Sequence, residues 1–288
     1  MKTAELRGDY SRAGPDYAVE QDWAAYSAED HALYRRLFQR QAKLVPRYAC
    51  PEWIEAIAGL DSAREIPRFA DVSKKLRAKT GWEIVAVPGL IPDDAFFTHL
   101  ANRRFPAGQF IRKHDQLDYL QEPDIFHDVF GHVPMLTDPV FADYMQAYGR
   151  GGQRAMQLGR LHNLARLYWY TVEFGLLQTP QGVRIYGAGI VSSRAESIFA
   201  LDDPSPNRLG FDLERVMRTP YRIDDFQQVY FVIPSLQALL DATLQDFAPI
   251  YDRLSRASDI PIEAIELSDS VITHGTQAYA LSRAAAAQ

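Results

Sequence analysis

Two histidines and a glutamate carry the first chemical signal in this chain. His127 and His132 stand five residues apart in PDIFHDVFGHVP, residues 123–134, and Glu173 lies in LARLYWYTVEFG, residues 164–175. Neutral imidazoles and a carboxylate are metal ligands. A set of two histidines and one carboxylate leaves coordination positions open, which suits Fe(II) working on O2 and also occurs at catalytic zinc. The competing structural explanation for the histidines is a pair of buried rings donating to carbonyls. For Glu173, costly on an apolar and aromatic helix face, it is an ion pair with Arg166. On a regular helix five residues advance about 500°, so the two rings would project roughly 140° apart. The spacing therefore predicts that the helix ends between them, at Gly131 and Pro134, with His132 swinging in from the turn.

The elements that must position these side chains read as mainly α with short β-strands. Apolar residues at helical spacing predict helices over 22–47, 51–60, 69–80, 93–103, 123–130, 139–159, 161–178 and 235–247, the last with a Ser cap. WEIVAVPG at 82–89 and residues 183–186 predict short strands, and 221–233 reads as extended. Residues 1–20 read as a flexible tail, 21–267 as one domain and 268–288 as a C-terminal tail without sustained heptads.

Longer stretches of text then carry a resemblance. VPGLIP at 87–92, QFIRKH at 109–114, YLQEPDIFHDVFGHVP at 119–134, FADYMQAYG at 141–149, ARLYWYTVEFGL at 165–176 and IYGAGIVSSRAES at 185–197 follow one another as they do in the tetrahydropterin-dependent aromatic amino acid hydroxylases. The chain resembles that family from about Val85 to Tyr251, and within it the bacterial members acting on phenylalanine. The resemblance implies a single catalytic domain of the aromatic amino acid hydroxylase type, converting L-phenylalanine to L-tyrosine with O2, a tetrahydropterin and non-haem Fe(II).

It also implies roles for individual residues. His127, His132 and Glu173 would hold the iron, with Ser192 and Glu196 as hydrogen-bonding partners that fix the imidazoles. Gly89 and Ile91 would offer backbone contacts to the pterin and Phe96 would stack on it. Asp128, where many relatives carry Glu, would reach the pterin through a bridging water. Arg112, oriented by Asp124, would take the substrate carboxylate; its alternative is a surface pair with Asp115. Pro123, Trp169 and Phe174 would pack the aromatic ring, with Ser192, Tyr119 and Leu120 also on the substrate side. Val232, where tyrosine-acting members carry an acidic residue, favours phenylalanine.

Composition bounds the rest. A chain of 288 residues, 47% hydrophobic and 24% charged, can bury a sizeable core, and a net charge of −6 with scattered Lys and Arg argues against nucleic acid or an anionic membrane as partner. The polar N-terminus, the lack of an eighteen-residue apolar run and the single Cys50 lead to the expectation of a cytoplasmic protein without disulfides. Without the regulatory domain and tetramerising helix of animal relatives, a monomer without substrate-driven allostery is expected. Three alternatives stay open: the same chemistry on tryptophan, a zinc hydrolase, and a non-catalytic helical protein. Against the hydrolase, the chain has no H-E-x-x-H.

Overall fold

A computed structural model describes residues 8–118 and 122–286. Its first helix shows how local chemistry sets a boundary. The Ser27 hydroxyl accepts from the Asp30 backbone N–H while the Asp30 carboxylate accepts from that of Ser27, a reciprocal cap that starts the helix at Ala28. The helix expected over 22–47 is thus three pieces: a short turn Trp23–Ala25, the helix Ala28–Ala42 and the single turn Val45–Tyr48. Pro51–Leu60 and Phe69–Thr80 form as the periodicity predicts, each closed by a left-handed residue, Asp61 at φ 52° and Gly81 at φ 77°.

Strands β1 (Glu83–Val87) and β2 (Arg104–Gly108) pair in parallel through the crossover helix Asp93–Ala101. The second strand escapes a reading of the sequence because RFPAG carries a proline and little alternation. A second sheet holds β3 (Leu176–Thr179), β4 (Gly182–Ile185), β5 (Asn207–Gly210), β6 (Val229–Ile233) and β7 (Val271–Thr273) in the order β4-β3-β6-β5-β7. The helix predicted to reach residue 178 stops earlier, because Leu176 to Thr179 pair with β4 and Leu176 and Leu177 also with the buried central strand β6. Sheet pairing there outweighs helical periodicity.

Both stretches read as tails are docked where they are described. Near the N-terminus, Tyr10 Oη donates to the Leu90 carbonyl, Asp16 pairs with Arg104 and accepts at its carbonyl from His99, and Val19 bridges to Ala86 of β1. At the other end β7 lies beside β5, and the helix Ala278–Ala286 is anchored by Tyr279, whose hydroxyl donates to Asp225. The core between the layers is rich in aromatic side chains. Phe126 and Phe130 stack at 4.9 Å, and Trp53 meets Phe130 at 5.0 Å, placing fully buried rings behind the histidine segment. Burial of each such ring stabilises by roughly 2–3 kcal/mol, so that segment has a rigid backing.

Candidate metal centre and substrate pocket

The chain does not leave the helix between His127 and His132. It widens into a π turn over His127–His132, with the Val133 N–H bonded to the Asp128 carbonyl five residues back at 3.2 Å. In such a turn residues five apart come onto one side, as residues four apart do on an α-helix, so the two rings meet without a break. This corrects the predicted helix end at Gly131 and Pro134. A second π turn, Trp169–Glu173, closes with the Phe174 N–H on the Trp169 carbonyl at 2.8 Å and delivers the glutamate.

Three side chains converge. His127 Nε2 and His132 Nε2 are 3.0 Å apart, Glu173 Oε1 lies 3.0 Å from His132 Nε2 and Glu173 Oε2 3.6 Å from His127 Nε2. All three residues lie within 4.8 Å of one another through these atoms. Arg166 turns away to Asp259 and the Met217 carbonyl, so the ion pair that was the competing explanation for Glu173 is not formed. Burial pushes the Glu173 carboxyl up, but His132 and His127 outweigh it and hold the group well below the usual range.

The short helix Ala188–Val191 wedges between the two π turns. A Cβ on Gly131 would stand 2.9 Å from the Ala188 carbonyl oxygen, and one on Gly187 would stand 2.5 Å from that of Glu173. Only glycine permits both approaches. At the end of this helix Ser192 Oγ donates to the Ala188 carbonyl at 2.7 Å and stands 3.0 Å from His127 Nδ1. Its one proton is spent on the carbonyl, so it accepts from Nδ1–H, which leaves Nε2 as the atom that turns to the ligand cluster. Ser192→Ala is expected to lower Fe(II) affinity 10–100-fold with the fold intact, read by metal titration and by thermal melting. Unchanged affinity would show that the hydroxyl does not orient the ring.

Glu196 does not share that role. It lies behind the pocket, where its Oε1 accepts from the Tyr230 hydroxyl and, at 3.5 Å, from the Gln227 N–H. Burial raises its carboxyl to about 7. Because the folded value exceeds the unfolded one, the stability this group contributes is complete below pH 4.5 and is lost as pH rises through about 7. Glu196→Gln should therefore flatten the decline in urea stability between about pH 5 and pH 8, by an amount on the order of 3 kcal/mol. An unaltered slope would contradict this.

Asp124 links the metal turn to Arg112. Its fully buried carboxylate accepts from Arg112 Nε and Nη2, both at 2.8 Å, from the Arg112 N–H at 2.9 Å and from the His127 N–H at 3.1 Å. Burial would raise this carboxyl, and Arg112 more than offsets it. Arg112 is itself buried and pairs with Asp124, so the surface pair with Asp115 does not form. Asp128, beside the first histidine, gives one oxygen to the Gly108 N–H at 2.8 Å, and burial lifts its carboxyl to about 6.

Trp169 and Phe174 face each other at 4.8 Å, while Pro123 is half-buried with its carbonyl beside Gly108. Phe96 meets Tyr168 edge-on at 5.8 Å, and Tyr168 lies 6.2 Å from the His132 ring. Gly89 and Ile91 are half-buried in the loop following β1, where a Cβ on Gly89 would approach Tyr10 Oη and Glu122 Oε1. Val232 is buried in β6. Tyr119 and Leu120 lie outside the described residues. Tyr168, Gly187 and Gln227 join the site without having been singled out from the sequence. Only the glycine-rich IYGAG had a local signal.

A carboxylate and two imidazoles from adjoining π turns, beside a buried arginine and an aromatic wall, define a non-haem metal centre of the oxygenase type. Residues 12–279 match the model of the biopterin-dependent aromatic amino acid hydroxylases, and the chain belongs to that family. It is similar to the phenylalanine-4-hydroxylase of Caulobacter vibrioides (strain ATCC 19089 / CIP 103742 / CB 15), 66% identical over 269 residues covering 93% of this chain and 92% of the relative. The corresponding protein of Ralstonia nicotianae (strain ATCC BAA-1114 / GMI1000) is 57% identical over 91% of this chain and 84% of its own. The iron- and phenylalanine-bound crystal structure of phenylalanine hydroxylase from Chromobacterium violaceum superposes with a TM-score of 0.87 at 56% identity, covering 91% of this chain and 96% of that one.

Proposed function

We propose that this chain hydroxylates L-phenylalanine to L-tyrosine with O2, a tetrahydropterin and non-haem Fe(II). The observation that carries the proposal is the convergence of His127, His132 and Glu173 beside the buried Arg112–Asp124 pair. The donor set fits Fe(II): neutral imidazoles and one ionised carboxylate leave a net positive centre with open positions. When bound, iron and tetrahydropterin together supply the O2 activation that places one oxygen atom on the aromatic ring.

The protein's own work is binding and orientation. The two imidazoles and Glu173 hold the metal through the Nε2 atoms and the carboxylate, and Ser192 fixes the His127 tautomer. Arg112, with Nε and Nη2 bonded to Asp124 and Nη1 at 3.5 Å from the Leu117 carbonyl, still has N–H groups to offer the substrate carboxylate. Trp169, Phe174 and Pro123 pack the substrate ring. Gly89 and Ile91 contact the pterin through the backbone, Phe96 stacks on it and Asp128 reaches it through a water. Val232, apolar where tyrosine-acting relatives are acidic, supports phenylalanine as the substrate.

The test is tyrosine formation from phenylalanine by metal-stripped protein given Fe(II), a tetrahydropterin and O2, with Zn(II) substitution and pterin omission as controls. Product only with Fe(II) and pterin together is the expected result. Hydroxylation of tryptophan alone would move the substrate, and no turnover of either would overturn the proposal.

We also infer a cytoplasmic monomer. Among the described residues no helix is long and apolar enough to cross a membrane, and the C-terminal helix packs onto its own chain through Tyr279 and Asp225. A sedimentation boundary at tetramer mass would contradict the monomer.

A further inference from the structure

The segment from Tyr221 to Gln227 grips one indole from two directions. Tyr221 stacks on Trp169 at 4.3 Å with the planes 15° apart, and Gln227 Oε1 accepts from Trp169 Nε1 at 3.0 Å. Gln227 is buried, and its amide orientation is set by its other half: Nε2 donates to the Arg222 carbonyl at 2.7 Å and lies 3.4 Å from that of Asp225. Only the oxygen is left for the indole. Behind it, the Gln227 N–H points at Glu196, whose Oε1 also accepts from Tyr230 on β6. The acceptor for Trp169 is thus tied to the central strand. The Phe174 ring lies 4.8 Å from the same indole, and Trp169 begins the π turn that ends in Glu173.

We infer that Gln227 is a positioning residue that sets the substrate specificity of the pocket, holding the Trp169 indole at the angle that fits a phenyl ring and excludes a larger one. The inference rests on the proposed placement of Trp169 against the substrate. An indole freed from its acceptor turns about its side-chain bonds, which loosens the fit to phenylalanine and opens room for a bicyclic ring. Loss of a hydrogen bond of this kind corresponds to a change of about fivefold to tenfold.

The test uses iron- and pterin-loaded enzyme. Gln227→Met keeps the length of the side chain and removes the strong acceptor. It should raise KM for phenylalanine about tenfold and lower the phenylalanine-over-tryptophan ratio of kcat/KM by a similar factor, with KM for the pterin unchanged. Trp169→Phe removes the donor, so adding Gln227→Met to it should change these constants little further. An effect of Trp169→Phe with none from Gln227→Met overturns the inference and leaves the pocket placement standing. No effect from either variant overturns both. Should Gln227→Met fail to fold, the ultraviolet resonance Raman difference between the unmutated enzyme and Trp169→Phe reads the hydrogen bond of this one indole, and a spectrum of a free N–H overturns the inference.

Discussion

Glu173→Gln is expected to lose iron on dialysis and to fall at least about a thousandfold in tyrosine formation, equivalent to about 4 kcal/mol of transition-state stabilisation. The amide retains the shape of the side chain and removes the only negative charge among the three converging ligands. Both imidazoles then face a divalent cation with nothing to neutralise it, and affinity drops along with the geometry of the open positions. Iron per chain by mass spectrometry, together with tyrosine formed per pterin oxidised, separates metal loss from uncoupling. Retained iron and full activity would remove Glu173 from the ligand set.

The second large effect is expected at Arg112. With its partner Asp124 wholly buried, Arg112→Met leaves an uncompensated carboxylate, at a cost of about 3–5 kcal/mol in urea unfolding. It also removes the cation proposed for the substrate carboxylate, so KM for phenylalanine should rise about a hundredfold. The two consequences can be told apart. Adding Asp124→Leu replaces the ion pair by apolar groups and should recover part of the stability without recovering phenylalanine binding. Recovery of both would mean that Arg112 acts only through the fold, and normal KM in the single variant would place the carboxylate elsewhere.

These residues were legible in the sequence as types and as matches to a family, yet their geometry was not. His127 and His132 lie at a spacing that regular helix geometry cannot align, and the expected solution was a helix end. The π turn resolves the spacing instead, held by the packing of Gly131 against Ala188, a residue 57 positions away that no local window can see. The limits of Pro51–Leu60 and Phe69–Thr80 were readable because their start and stop signals are local. The strands Arg104–Gly108 and Leu176–Thr179 were not, because their conformation is imposed by distant partners. Glu196 and Ser192 show the same divide. They stand four residues apart in one motif, but the turn between Val191 and Arg194 sends one toward His127 and the other toward Tyr230.

The N-terminal strap has a consequence for the loop it crosses. Val19 is bridged to Ala86 and Tyr10 is bonded to Leu90, so the stretch proposed to receive the pterin is held at its start and again between Gly89 and Ile91 by chain that makes none of the proposed pterin contacts. A free loop spends part of its binding energy on its own ordering, because each residue fixed loses about 1–2 kcal/mol of conformational entropy. Here that entropy is surrendered when the protein folds, and the cofactor meets a surface already shaped.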